Sequence, residues 1–210
     1  MNQEQLWSKR YQDAGDQYLF GTQPNVFLAR HVDLFQPGSS ALLVADGEGR
    51  NSVWLAAQGL EVSAMDVSAV AIEKARILAL QHQVDVHLVV GDMTAAHWPP
   101  VQFHAAFDWV IGIFIQFVGA EGRERQFCAM QQMTRPGGRI LLQGYTPKQL
   151  DYRTGGPALV ENLYTEAMLR TDFSDWDIEE LLEYEDDVAE GTGHKGRSAL
   201  IGLIARKPDA

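Results

Sequence analysis

The sequence predicts an α/β fold: a doubly wound, mostly parallel sheet of seven strands ending in a C-terminal antiparallel hairpin. Three observations carry this. Short apolar runs alternate with helical segments over the first two thirds of the chain, the rhythm of right-handed β-α-β crossovers. "LLVADGEGRNSVWLAAQG", residues 42–59, passes from an apolar strand through two glycines into a helix. After about residue 175 the rhythm gives way to two long segments suited to pairing with each other.

The elements follow in order. "PNVFLARHVDLF" (24–35) opens on Pro-Asn and repeats apolar residues at helical spacing. "ALLVA" (41–45) is a first strand, apolar enough to be buried on both faces. A helix runs from about Arg50 to Gly59, a residue type suited to the end of a helix. "EVSAMD" (61–66) is a second strand, and Ser68 caps a helix, "AVAIEKARILALQH", with an apolar stripe of Ile72, Ala75, Leu78 and Ala79. "VHLVVGD" (86–92) and "FDWVIGIF" (107–114) are the third and fourth strands, and "EGRERQFCAMQQM" (121–133) is the following crossover helix. "RPGG" turns into a fifth strand, "RILLQGY" (139–145). "WDIEELLEYEDDVAEG" and "RSALIGLIARKP" form the hairpin, with a loop at "TGHKG" and a helix around "LYTEAMLRTDF" before it.

Composition narrows the function classes. The chain has 210 residues, 46% of them hydrophobic, which suits one globular domain. A net charge of −11 argues against nucleic acid and anionic membranes, whose binders carry a basic face. The single cysteine, Cys128, cannot close an internal disulfide, and no cysteine–histidine spacing resembles a zinc site, so no metal is expected. A reducing cytoplasm is the expected setting. The amino terminus lacks the apolar segment of a signal peptide, and "WVIGIFIQFV" is too short to span a bilayer. No coiled-coil pattern points to an oligomeric state.

The chemistry is expected at the carboxyl ends of the strands, where open parallel sheets bind ligands. Gly47 and Gly49 follow the first strand; with Ser52 they make a Gly-x-Gly-x-x-Ser pattern, compatible with any nucleotide-like cofactor. Asp66 ends the second strand, about 20 residues on, where an acid accepts from ribose hydroxyls. Asp92 ends the third, placed to accept from an adenine amine while Met93 flanks the ring. Each residue also has a purely structural reading. The glycines could serve only the turn, and either aspartate could cap the following helix. Their coincidence on successive strand ends favours an adenosine.

Together with "RPGG" and the closing hairpin, this set resembles the class I S-adenosylmethionine (SAM) dependent methyltransferases. "YLFGTQPNVFLA", "ADGEGRNSVWLA", "QGYTPKQLDYRTGGP" and "EGTGHKGRSALIGLIARKP" are similar to segments of the small bacterial tellurite-resistance and thiopurine or thiol methyltransferases. The resemblance implies SAM as cofactor, held by Ala45, Asp46, Gly47, Gly49, Asn51, Asp66, Val67, Asp92, Met93, Gly112 and Phe114. It implies one domain over 1–210: a lid and helix (1–35), a cofactor-binding core (36–145), and an acceptor-side segment with the hairpin (146–210). The sequence departs from the pattern at Leu43, where many members have an acid, so Asp46 or a backbone carbonyl is expected at the amino-acid end of SAM.

The implied partner is a small-molecule methyl acceptor. Methyl transfer from a sulfonium needs alignment and exclusion of water more than a strong base. A soft, already nucleophilic acceptor such as a thiol fits the absence of an obvious catalytic dyad. Tyr145, His194 and Tyr18 are the candidate catalytic residues, with Phe114 and Gln116 after the fourth strand and the amino-terminal aromatics Trp7, Tyr11 and Phe20 as walls. Packing onto the body is the simpler reading of Trp7 and Tyr11, and a solvated loop that of His194. The acidic run 172–190 reads as a solvated edge, or as a negative rim disfavouring anionic acceptors. "HWPP" (97–100) follows the third strand and not the fourth, which disfavours an amino-methylating motif. Two other functions stay open: an NAD-dependent oxidoreductase and a non-catalytic SAM-binding module.

Overall fold

A computed structural model describes residues 2–191 and 194–209, the side chain of His194 excepted. The helices are α1 (Gln3–Asp13), α2 (Val26–Arg30), α3 (Arg50–Ala57), α4 (Ala69–His82), α5 (Ala120–Met133), α6 (Gln149–Tyr152) and α7 (Glu166–Asp172). The strands are β1 (Ser40–Val44), β2 (Glu61–Asp66), β3 (Val86–Val90), β4 (Phe107–Ile113), β5 (Thr134–Tyr145), β6 (Asp177–Glu190) and β7 (His194–Arg206). They form one seven-stranded sheet in the order β3-β2-β1-β4-β5-β7-β6, parallel from β3 to β5 and antiparallel beyond.

Burial on both faces explains the continuous apolar strands. Leu42 and Val44 of β1 point to one layer, with Val110, Leu142 and the α5 residues Phe127 and Met130. Leu43 and its neighbours Ile111 and Leu141 point to the other, against Phe27, Leu28 and Leu55. Sequence and structure agree residue for residue at β2 and α4, where the Ser68 side chain accepts from the Ala71 amide as an N-cap.

Three expectations need correction. The helix expected over 24–35 stops at Arg30 and resumes as a 3-10 turn, Val32–Leu34. His31 marks the break: its ring bonds the Phe27 carbonyl (2.8 Å) and Glu180 (2.9 Å), tying this point to β6. "RPGG" is looped out within β5, since Phe107 pairs with Thr134 but Trp109 with Arg139. The hairpin connection is tighter than "TGHKG", because Glu190 already pairs with His194.

The acidic edge is heavily paired. Glu179 meets Arg139 (2.7 Å), Asp186 meets Arg30 (3.0 Å), and Glu185 meets Arg197 (2.9 Å) and Lys148. The carboxylates of β6 thus fasten helices and neighbouring strands to the sheet edge.

Strand order reverses between β1 and β4, so their carboxyl ends splay and leave a crevice. Ala45 (φ 49°) and Phe114 (φ 56°), immediately after those two strands, both adopt the left-handed conformation that side chains disfavour. The backbone is therefore strained on both lips of the crevice.

Candidate active site

The crevice, open to solvent on one side, lies at the carboxyl ends of the parallel strands. Its floor is Leu43 and Val44 from β1 with Ala45 just after it, Met65 and Asp66 from β2, and Ile111 and Ile113 from β4. Asp46, Gly47, Arg50 and Asn51 come from the turn and α3, and Gly91, Asp92 and Met93 follow β3. The roof is α1: Gln3, Trp7 and Tyr11 recur every fourth residue, so one helix face closes the space, with Phe20, Phe114 and Phe117 beside it.

The glycine turn is shaped by protein as much as by ligand. A Cβ on Gly47 (φ 66°) would lie 2.9 Å from the Tyr11 hydroxyl, and one on Gly49 (φ 89°) would lie 2.7 Å from the Ala75 methyl. Gly47 thus makes room for the roof tyrosine, and Gly49 lets α3 pack on α4. Asp66 is buried and holds the same turn: one carboxylate oxygen accepts from the Gly47 amide and the other from the Ser68 amide, both at 2.9 Å. Burial lifts its pKa to about 6 against the pull of those amides.

Asp46 sits deeper. Burial pushes its carboxyl to about 7, although the Ser52 hydroxyl donates to it at 2.5 Å and Arg50 lies nearby. Its other oxygen, Oδ1, is buried and has no hydrogen-bond partner among the described residues, and the same holds for Arg50 Nη1. The second Arg50 arm, Nη2, forms a buried ion pair with Glu190 at 2.6 Å. An acceptor and a donor are therefore left unsatisfied in one crevice wall, a cost that protein interiors rarely leave uncompensated.

The roof is clasped to the body. Lys74 Nζ donates to the carbonyls of Tyr11 (3.1 Å) and Gln17 (2.8 Å) and pairs with the buried Glu48 (2.8 Å), which accepts from the Leu19 amide at 2.7 Å. Ser8 and Ser68 share a hydrogen bond of 2.8 Å, and Gln3 Nε2 donates to the Phe117 carbonyl at 3.2 Å. Trp7 stacks on Tyr11 at 5.9 Å, and Arg10 covers the Trp7 ring at 4.5 Å.

Of the residues singled out from sequence, Ala45, Asp46, Gly47, Asn51, Asp66, Val67, Asp92, Met93 and Phe114 meet in this crevice. Four others, Gly49, Gly112, Tyr18 and Tyr145, do not line it. Gly49 faces α4, and the vacant Cβ position of Gly112 faces Ile115, Met130 and Leu142 in the core. Tyr18 is turned away: it packs beside Val53 and Leu78, and its hydroxyl donates to the Lys74 carbonyl at 3.1 Å. Tyr145 lies behind Phe114, stacked on it at 4.6 Å, and its burial raises the phenol pKa. His194 opens β7, and its side chain lies outside the described residues. Gln116 is also structural: its amide bonds both backbone groups of Tyr145 and the Asn162 carbonyl.

Arg50 escaped the sequence reading because its partner, Glu190, is 140 residues away. The roof helix had an available signal. Asn2 and Gln5 form a capping box, an Asn-x-x-Gln pattern that marks a helix start.

Residues 41–138 match the family model of a methyltransferase domain. That match covers just under half of the chain, and the sheet that carries it has the Rossmann-like, doubly wound strand order. Among solved structures, one from work on the conversion of a disulfide bond into a thioacetal group during echinomycin biosynthesis is 17% identical at a TM-score of 0.80, over 99% of this chain and 92% of that one. TehB from Haemophilus influenzae is 19% identical at a TM-score of 0.70, over 97% and 66% of the two chains. Magnesium protoporphyrin IX methyltransferase from Synechocystis, solved with bound S-adenosylhomocysteine, is 16% identical at 0.66, over 99% and 88%. A curated relative, hemagglutinin 1 of Eikenella corrodens, is 30% identical over 168 residues; the match takes in 77% of this chain but only 52% of that protein's length. Among the described residues no helix is long and apolar enough to cross a membrane, and no group of three potential metal ligands occurs.

Proposed function

We propose that the protein transfers a methyl group from SAM to a small-molecule acceptor, a thiol or similar soft nucleophile, by in-line displacement. The observation that carries this is the unsatisfied pair in the crevice wall. Asp46 Oδ1 and Arg50 Nη1 offer a buried acceptor and a buried donor, as a zwitterionic amino-acid end requires, and they stand in for the acid missing at Leu43. Asp66, whose oxygens each retain a lone pair, and Asp92 supply acceptors for ribose hydroxyls and an adenine amine.

Bound there, SAM would supply a methyl group already activated by the sulfonium. The chain's own residues position and protect. Asp46 and Arg50 orient the amino-acid end, Met93 and Ile111 supply apolar walls, and the α1 face with Trp7 and Tyr11 excludes water. No group in the crevice wall needs to act as a strong base when the acceptor is a soft nucleophile. The test is a screen of thiols, chalcogen oxyanions, thiopurines and small amines for acceptor-dependent release of S-adenosylhomocysteine. Turnover with at least one sulfur acceptor is expected. Tight SAM binding with no product from any acceptor would contradict the reading.

A further inference from the structure

A second cavity, of about 920 Å³ of non-atom space, adjoins the crevice. Phe20 and Phe114 belong to the walls of both, so two aromatic rings form the boundary between them. Its remaining walls come from the Gly21–Val26 segment, the β5 residue Gln143 and the hairpin. Part is apolar, with Pro24, Val188 and Leu200. Asp186, Asp187 and Glu190 also line it, and no Lys, Arg or His does among the described residues.

A hydrogen-bond chain of fixed direction ends in this cavity. The Asn25 carbonyl oxygen accepts from the Leu28 amide (3.0 Å), which leaves its Nδ2 to donate to Glu190 (2.8 Å) and to the Gln143 carbonyl oxygen (2.6 Å). Gln143 is thereby oriented, and its Nε2 donates to the Tyr184 hydroxyl at 2.5 Å. Tyr184 accepts that bond, so its own proton must point elsewhere, and no other hydrogen bond of this hydroxyl is made among the described residues. Burial lifts its pKa to about 12, which keeps the proton in place.

Resting on the methyl-transfer reading above, we propose that this second cavity is the acceptor chamber and that Tyr184 donates a hydrogen bond there to an uncharged, partly apolar acceptor presenting a lone pair. The three carboxylates in the wall are paired with Arg30, Arg197 and Arg50, and no Lys, Arg or His lines the chamber among the described residues to receive an anion, while Phe20 and Phe114 face the flat or apolar body of the molecule. The buried Arg50–Glu190 pair joins the two spaces, with Arg50 on the donor side and Glu190 on the acceptor side.

Two probes test this: 2-thiopyridone, a neutral thione, and 2-mercaptonicotinate, the same ring carrying a carboxylate. Each is titrated calorimetrically into wild type and Tyr184→Phe with S-adenosylhomocysteine at saturation. The substitution keeps the ring that stacks on Phe27, and the melting temperature reports the fold. The expected result is thiopyridone binding that weakens about tenfold in Tyr184→Phe, the factor for one hydrogen bond, with unchanged affinity for S-adenosylhomocysteine. Mercaptonicotinate should bind wild type at least about tenfold more weakly than thiopyridone. Equal thiopyridone affinity in the two proteins, equal binding of the two probes, or no thiopyridone binding while S-adenosylhomocysteine still binds would overturn the chamber. Failure of S-adenosylhomocysteine to bind wild type would instead remove the donor reading beneath it.

Discussion

Asp46 concentrates the chemistry of the crevice in one carboxyl group. Burial raises its pKa from the usual 3.8 to about 7, and its Oδ1 has no hydrogen-bond partner among the described residues. The linkage has a definite sign. A carboxylate raised in the folded state penalises folding increasingly as pH climbs from about 4 to about 7, and an ammonium group that binds the ionised form offsets the penalty. Affinity for S-adenosylhomocysteine should therefore rise roughly tenfold between about pH 6 and about pH 8, as ionised Asp46 goes from about a tenth to about nine tenths of the population. Asp46→Asn should abolish that rise, and 5′-methylthioadenosine, which lacks the amino-acid end, should show none in either protein. A pH-independent wild-type affinity would remove Asp46 from this role. Asp66 behaves differently, since both its oxygens already hold the backbone of the turn. Its identity was legible from its place at the end of a strand. Its double duty was not, because that depends on how Gly47 and Ser68 fold around it.

The elements were legible where local chemistry dominates. Ser68 and the apolar stripe of α4 fixed that helix, and the short run "EVSAMD" between Gly59 and Ser68 fixed β2. They were obscure where a distant partner decides: His31 interrupts a helical pattern through Glu180, and α1 is a polar helix whose aromatic face acquires meaning only over the crevice. That helix depends on Lys74, which gathers two carbonyls of the amino-terminal segment and the buried Glu48. Lys74→Met should loosen α1, because it removes those bonds and leaves Glu48 buried without its charge partner. Trypsin should then cleave after Lys9 and Arg10 markedly faster than in wild type, and saturating S-adenosylhomocysteine should restore part of the protection. Equal cleavage rates would show that the roof is held by its packing alone.

Across the whole molecule, the reversal of strand order between β1 and β4 creates one crevice, and the antiparallel addition of β7 and β6 creates a second cavity beside it. The alternating pattern of the sequence was enough to foresee the first. The second depends on residues as far apart as Asn25, Gln143 and Glu190, whose meeting no local spacing announces. The same distance explains why Tyr18 and Tyr145, reasonable from chain position, end up behind other side chains, while Arg50 and Tyr184 take the walls. The central claim is that the crevice between β1 and β4 grips an adenosine bearing an amino-acid end. Calorimetric titration of the purified protein with S-adenosylhomocysteine, and separately with NAD, tests it most directly. The account predicts saturable one-to-one binding of S-adenosylhomocysteine and none of NAD; binding of NAD alone would contradict it.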